Sequence, residues 1–414
     1  MKHKLLHRTM LLLAVLASLQ KGQAQLVFDK TFHVALDPTW VTTFKTSVLK
    51  DGNLWCVGTE GTYSFYNGSV WTKSKIPNAT SSNRGIALDH QSTLWIGSFG
   101  DGLFKKEGNT WTQFTESNSE LPSDNIRALL YDTIHQELWV ATYGGLVRIK
   151  NNVWDIFTEA NSQLESGLIS DIEQSADGAI WVVNDSRLVK IHNGAWTVFT
   201  SSQIFGGSDD DLADVFIDHN QNVWTTSSYS AKGAASFDGD NWTVLPGFSG
   251  KVLQSVGVDM AGTVFLGELF KGMHVVFGGI NYYFPSSPDG FPTSQNFNFT
   301  LDKNSNSLWL SNTWGLWEIK SATVSSSQPN GPGNSLMAFP VPAYDKISIT
   351  SEKSFITSIQ VTNVHGVLVE TLRYNNESTV ELPVGHLPAG VYFLQTTLKD
   401  NRIEVIQVVV NSQR

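Results

Sequence analysis

Seven times along this 414-residue chain an aliphatic residue is followed by an aromatic one, then by a small or β-branched strand and a Gly-containing turn. The aromatic anchors are Trp55, Trp95, Trp139, Trp181, Trp224, Phe265 and Trp309, spaced 40, 44, 42, 43, 41 and 44 residues apart. That period has room for four short strands and their turns, the content of one propeller blade, and is far longer than a leucine-rich repeat. Turn-forming residues precede most anchors, as in Asp51-Gly52-Asn53, Asp177-Gly178 and Asp259-Met260-Ala261-Gly262, and suit tight hairpins that feed the anchor strand. A second aromatic recurs at Trp71, Trp111, Trp154, Trp196 and Trp242, where large rings fill the wedge between neighbouring blades. The expected fold is all-β: a seven-bladed β-propeller over 25–321, a linker over 322–336 and a small C-terminal β-sandwich over 337–414.

The last repeat is incomplete. After Trp309 to Lys320 the chain enters Ser321 to Gly333 with no outer aromatic strand. Outer aromatics elsewhere precede the next anchor by 23 to 28 residues, and Phe28 precedes Trp55 by 27. The strand around Leu26 to Phe28 is therefore expected to complete the seventh blade, removing a sheet edge that would otherwise invite pairing with another molecule.

The first 24 residues read as a secretory signal peptide, with basic Lys2, Lys4 and Arg8, an apolar run from Met10 to Leu19, and small residues in Gly22-Gln23-Ala24. That run falls short of a bilayer span, and no later stretch approaches about 20 apolar residues, so no transmembrane segment is expected. No Cys follows the cleavage position to carry an acyl anchor. Cys56 is the sole cysteine and reads as a small core residue beside its anchor Trp. A net charge of -10 argues against nucleic acid or anionic lipid as a partner, since such binding relies on Lys and Arg neutralising phosphates.

Segments such as Thr93-Leu94-Trp95-Ile96-Gly97-Ser98 and Leu138-Trp139-Val140-Ala141-Thr142, followed by Gly144-Gly145-Leu146, resemble the two-component regulator propeller repeat over roughly 26–320. In that family the propeller often forms the outside sensor region of hybrid histidine kinases; here neither a kinase region nor a span accompanies it. The Ser, Gly and Pro-rich stretch Ser325 to Gly333 reads as a linker. Short alternating strands follow, at Lys346 to Ile349, Ile356 to Val361, Val367 to Val369, Val380 to Leu382, Val391 to Leu394 and Ile403 to Val410. With Phe339-Pro340-Val341-Pro342-Ala343, then Val364-His365-Gly366, then Leu387-Pro388-Ala389-Gly390-Val391-Tyr392-Phe393, this segment resembles the C-terminal sorting domain of the type IX (Por) secretion system. The sorting motif is thus carried by Pro340, Pro342, Gly366, Leu387, Gly390 and Tyr392. The resemblance implies the type IX machinery as partner, and an extracellular or outer cell-surface location. An ordinary carbohydrate-binding sandwich is the competing reading of the module.

Catalytic signatures are absent from the sequence: no His-Glu-x-x-His, no Gly-x-Ser-x-Gly, no phosphate-binding loop and no Cys-rich metal spacing. No cofactor and no catalytic residue is assigned. The acidic run Asp209, Asp210, Asp211 and Asp214 lacks the spacing of a Ca²⁺ loop and leaves metal binding open. Turns after the anchor strands all emerge on one face of a propeller, so their residues form a ring about the central opening. The ligand-binding candidates there are Glu60, Phe99, Asp101, Tyr143, Asp185, Tyr229, Phe270, Lys271 and Trp314, with Glu268 nearby. Flat rings beside carboxylates suit stacking on sugar faces and hydrogen bonds to hydroxyls. Two function classes follow: a secreted or surface non-catalytic binding propeller, glycan among its candidate ligands, and a polysaccharide-acting hydrolase or lyase with a carboxylate pair on the ring.

Overall fold

A computed structural model describes residues 29–33, 45–48, 53–229, 231–277, 279–285, 298–302, 307–312, 315–320, 336–339, 343, 345–351, 354–363, 367–388, 390–400 and 402–410. The signal peptide and residues 322–335 of the expected linker lie outside them, while Leu336, expected as the linker's last residue, begins a strand. Seven four-stranded antiparallel sheets run along residues 45–75, 82–114, 126–157, 169–200, 212–244, 253–285 and 298–320, the last completed by Asp29–His33. We number them one to seven in that order. The first strands of consecutive sheets touch in cyclic order, and the first strand of sheet seven touches that of sheet one, so the ring is closed.

Every anchor lies on the second strand of its sheet, and each of the five outer tryptophans lies on a fourth strand. Their packing repeats. Trp95 stacks on Phe114 of its own sheet, with centroids 6.2 Å apart and planes at 24°, and Phe114 meets Trp154 of sheet three at 5.5 Å. Trp139, Phe157 and Trp196 do the same at 6.0 and 5.3 Å, and Trp181, Phe199 and Trp242 at 5.8 and 5.6 Å. A cation on the third strand, directly opposite each of these anchors, covers its ring: Lys105 over Trp95, Arg148 over Trp139 and Lys190 over Trp181. Each aromatic pair contributes about 0.5–1.5 kcal/mol beyond the area it buries. The apolar clusters accordingly lie between consecutive sheets, not within any one of them. Gly85 permits this approach: a Cβ there would stand 2.8 Å from the backbone nitrogen of Leu129 in the next sheet.

The turn before an anchor serves the anchor itself. Asp89 Oδ1 accepts the backbone N–H of Gln91 and Thr93, and the Trp95 indole donates to its Oδ2 at 3.4 Å. Asp218 does the same for Trp224 at 3.1 Å, while the Ser175 hydroxyl accepts the Trp181 indole N–H alone, at 3.3 Å. Cys56 is 4% exposed, and burial pushes its thiol up to about 12, against a lowering hydrogen bond with Ser64. It is a core residue, as its sequence position implies.

Sheet seven is closed by the other end of the chain: Asp29 to His33 pair antiparallel with Lys320 to Leu316. The register corrects one detail. Outer tryptophans in sheets one to five sit opposite the residue that follows the anchor's own partner, and in sheet seven that position belongs to Lys30, opposite Ile319. The outer position of the completing strand thus falls at Lys30 and not at Phe28; Leu26 to Phe28 lie outside the described residues.

Beyond the ring, Leu336–Phe339, Lys346–Ser351 and Thr379–Pro383 form a three-stranded sheet, and Leu368–Glu377, Ile356–Asn363, Gly390–Leu398 and Ile403–Val410 a four-stranded one. Ile347, Ile349, Ile359, Val361, Leu382 and Leu394 fill the space between them as a sandwich core. Tyr392 is buried there and donates its hydroxyl to the Pro388 carbonyl at 2.9 Å, while Leu387 packs on the same core and Gly390 opens its strand. Pro340, Pro342 and Gly366 lie outside the described residues. Phe393 meets Phe277 of sheet six edge-on at 4.9 Å.

Two stability experiments test this architecture. Deleting Asp29–His33 leaves sheet seven with three strands, and calorimetry is expected to show Tm falling by about 5–10 °C; an unchanged Tm would remove the closure. Phe199 touches Trp181, Phe237 and Trp242 at once, so Phe199→Ala is expected to cost about 3 kcal/mol in denaturant unfolding.

Candidate functional site

In the first strands of sheets two and three, one residue drops out of register with the second strand: Arg84, between Asn83 and Gly85, and Arg127, between Ile126 and Ala128. Such bulges re-aim a side chain and recur next to binding sites. Here they turn two guanidiniums toward two aromatic residues at the ends of the anchor strands. Arg84 stands 4.1 Å above the Phe99 ring, and Arg127 5.8 Å from the Tyr143 ring while donating to its hydroxyl at 3.4 Å. Phe99 and Tyr143 meet edge-on at 5.1 Å and 83°. Burial, and then the charge of Arg127, lower the Arg84 pKa from its usual value. Two like charges held together beside two aromatic rings form a site that an anion relieves. Tyr143 is 41% exposed, so that face is open. The arginines were missed in the sequence because a bulge breaks the alternation from which strand faces are read.

The other candidates divide. Asp101 is already engaged: its carboxylate accepts the backbone N–H groups of Thr80 and Ser81 at 2.8 and 2.7 Å and the Thr80 hydroxyl at 3.2 Å. Burial opposes its charge, but these bonds outweigh burial and hold the carboxyl below its ordinary range. Glu60, Asp185 and Phe270 occupy the left-handed region, with φ of 53°, 47° and 59°. An exposed aromatic residue in that conformation carries local strain of about 1–3 kcal/mol. Tyr229 and Phe270 stand exposed on sheets five and six. Trp314 lies outside the described residues.

Acidic groups gather on sheets four and five and in the loop that leads into sheet four. Asp185 accepts the Ser166 hydroxyl and Asp210 the Ser227 hydroxyl, while Glu165 accepts the backbone N–H and hydroxyl of Ser186 at 3.2 and 2.6 Å. Asp211 is held above the ordinary carboxylate range, first by burial and then by the charges of Asp185, Asp210 and Glu165. Of the acidic run, Asp209 caps the short helix Ser201–Phe205 through the Ser202 N–H, and the buried Asp214 accepts the Val256 N–H. The run is therefore spread over several structural duties. Its members form no cation cage among the described residues.

On sheet six, Glu268 and Lys271 do come together. Lys271 Nζ is 2.9 Å from Glu268 Oε1, and the buried His274 Nε2 is 2.8 Å from Oε2. Burial opposes the charge on Glu268, yet the His274 and Lys271 hydrogen bonds hold its carboxyl low. Burial is also the main cause that lowers His274, against the pull of Glu268. Both folded-state pKa values are depressed, so in both cases the unfolded chain takes up protons more readily and acid destabilises. Stability is full above the unfolded His value of about 6.5 and falls as pH drops through the folded values, with Glu268 adding its loss below about pH 4.3. Calorimetry from pH 8 to pH 4 is expected to show Tm flat to about 6.5 and declining below it, with a shallower decline in His274→Gln.

Comparison with known proteins bears on both parts. Residues 337–411 match the Secretion system C-terminal sorting domain. The extracellular domain of BT3049, described as a hybrid two component system from B. thetaiotaomicron, superposes with a TM-score of 0.55 at 13% identity, covering 95% of this chain and 58% of that one. A virginiamycin B lyase from Staphylococcus aureus gives 0.56 at 10% identity, over 71% of this chain and 99% of the lyase. PorZ, a surface component of the type-IX secretion system of Porphyromonas gingivalis, gives 0.49 at 14%, over 92% of this chain and 61% of that one. The chain thus spans about 60% of the length of PorZ and of the BT3049 domain. A search of curated proteins finds no match. Among the described residues no helix is long and apolar enough to cross a membrane. At these identities the likenesses speak for the fold alone, and the sorting match for the route: the chain is a β-propeller protein with a type IX secretion sorting domain at its C-terminal end, destined for the cell surface or beyond.

Proposed function

We propose that this is a non-catalytic binding protein in which seven sheets act as the blades of one propeller, presenting to the exterior a receptor site for an acidic glycan. The observation that carries this reading is the Arg84–Phe99–Tyr143–Arg127 cluster. A guanidinium recognises a carboxylate or sulfate through paired N–H donors, and an exposed ring such as Tyr143 stacks on the apolar face of a sugar. Charge supports it as well: on a chain with a net charge of -10, two adjacent arginines form a local exception. Glu60, Asp185, Tyr229, Phe270 and Lys271 then belong to the rim over which a longer chain extends.

Binding of the mature protein to arrayed uronic-acid, sulfated and neutral glycans tests the reading. Binding confined to the acidic members, weakened at least tenfold in Arg127→Ala and in Tyr143→Ala and by raised salt, is expected. Equal binding to neutral chains, or none to any, defeats it. A second reading, a polysaccharide hydrolase or lyase, draws on the Asp211 carboxyl held high beside Asp185 and Glu165, the environment of a general acid. Release of shortened product, lost in Asp211→Asn, is the result that would favour it.

A further inference from the structure

A cleft of about 340 Å³ opens between sheets three and four, at the strand ends opposite to the Phe99 and Tyr143 turns. Its walls include Asp132, His135, Glu137, Trp139, Arg148 and Lys150. Here the repeat is broken. The turn from Asp132 to Trp139 is one residue longer than Asp89 to Trp95, Ser175 to Trp181 or Asp218 to Trp224, and Gln136 takes a φ of 56° within it. In those shorter turns the first side chain accepts the anchor indole N–H. In sheet three Asp132 is bonded within its own turn instead. Its Oδ1 accepts the N–H of Ile134 and His135 at 2.8 and 2.9 Å, and its Oδ2 faces His135 Nδ1 at 2.6 Å. The Trp139 indole, on a residue 2% exposed that lines the cleft, is left without an acceptor among the described residues. A buried N–H with no acceptor costs about 1–3 kcal/mol, a cost that a ligand carrying an acceptor atom relieves.

We propose that Asp132, His135 and Glu137 hold one divalent cation of the Zn²⁺ type, and that a water on that cation accepts the Trp139 indole N–H. One ligand atom from each of the three residues already lies within 4.8 Å of the others, and both carboxylates are buried. Two carboxylates and a neutral imidazole cancel a 2+ charge. The cation takes the place of the proton between His135 Nδ1 and Asp132 Oδ2, whose separation widens to the roughly 3 Å that two ligands at about 2.0–2.2 Å require. Arg148 is held by Asp155 at 2.6 Å. Lys150, 3.5 Å from Glu137 and 45% exposed, has solvent into which to withdraw. The imidazole selects Zn²⁺ over the oxygen-seeking Ca²⁺ and Mg²⁺. Among anchor turns described in full, only that of sheet three brings a His and a second carboxylate beside its Asp.

The test is calorimetric titration of Zn²⁺ into untagged, chelator-stripped full-length mature protein. Expected are one site per chain, at least tenfold preference over Ca²⁺, and at least tenfold weaker binding in both His135→Ala and Glu137→Gln. Because Trp139 adjoins the site, Ni²⁺ in the same site is expected to quench part of the tryptophan fluorescence, and Trp139→Phe to lose that part while still taking up Zn²⁺. Absence of saturable uptake in the parent protein, or affinity unchanged in both ligand variants, overturns the assignment. So does Ni²⁺ quenching that persists in full in Trp139→Phe.

Discussion

The contact on which the rest of this fold depends is the aromatic one between sheets. A four-stranded sheet of about 30 residues has two apolar faces and too little thickness to bury either alone, so each must be covered by its neighbours. Trp139, Phe157 and Trp196 show how this is done: the anchor packs on the last strand of its own sheet, and that strand's Phe packs on the next sheet's outer Trp. The geometry is directional. It passes stabilisation from one sheet to the next, and a chain of such contacts loses least when its two ends meet. Closure by Asp29–His33 joins the first and last sheets covalently as well as by packing, since that strand leads directly into sheet one.

Once packing is carried by the anchors, the turns at both ends of the sheets are free to vary, and both proposed sites lie where the repeat departs from itself. Arg84 and Arg127 sit at a bulge that all five sheets from two to six possess, but other sheets place Ser170 or Gln254 at the residue left out of register. The bulge is structural and its occupant is not. The same holds at the opposite end, where Asp89 and Asp218 anchor an indole while Asp132, in a hairpin one residue longer, is bonded to a histidine.

Much of the fold could be read in the sequence because Trp and Phe at a 40 to 44-residue period have few structural alternatives. Closure by the N-terminal strand was legible from a missing element at the other end. Its register was not: spacing to Trp55 pointed to Phe28, whereas pairing with the third strand places Lys30 at the outer position, and pairing is a non-local property that spacing does not encode. The site was legible in part. Phe99 and Tyr143 were found as turn aromatics, and the structure brings them into contact. Asp101 was read as available because its residue type is polar and its turn exposed, yet backbone N–H groups of the preceding segment consume its carboxylate. The arginines escaped because a bulged residue belongs to neither face of the alternating pattern.

The charge distribution ties the sites to the sorting route. A protein at the cell surface or beyond it stands in solution of appreciable ionic strength, where charges further apart than about 8 Å are largely screened. The net charge of -10 therefore bears on solubility, while the proposed recognition falls to charges placed side by side. Arg84 with Arg127 on sheets two and three, and Asp185 with Asp211 on sheets four and five, are such neighbours, opposite in sign and on different parts of one ring. A ligand lying across the ring with its anionic group over the arginines would extend its uncharged hydroxyls toward the carboxylates as hydrogen-bond donors. One face then reads both the position of a charge and the orientation of the chain that carries it.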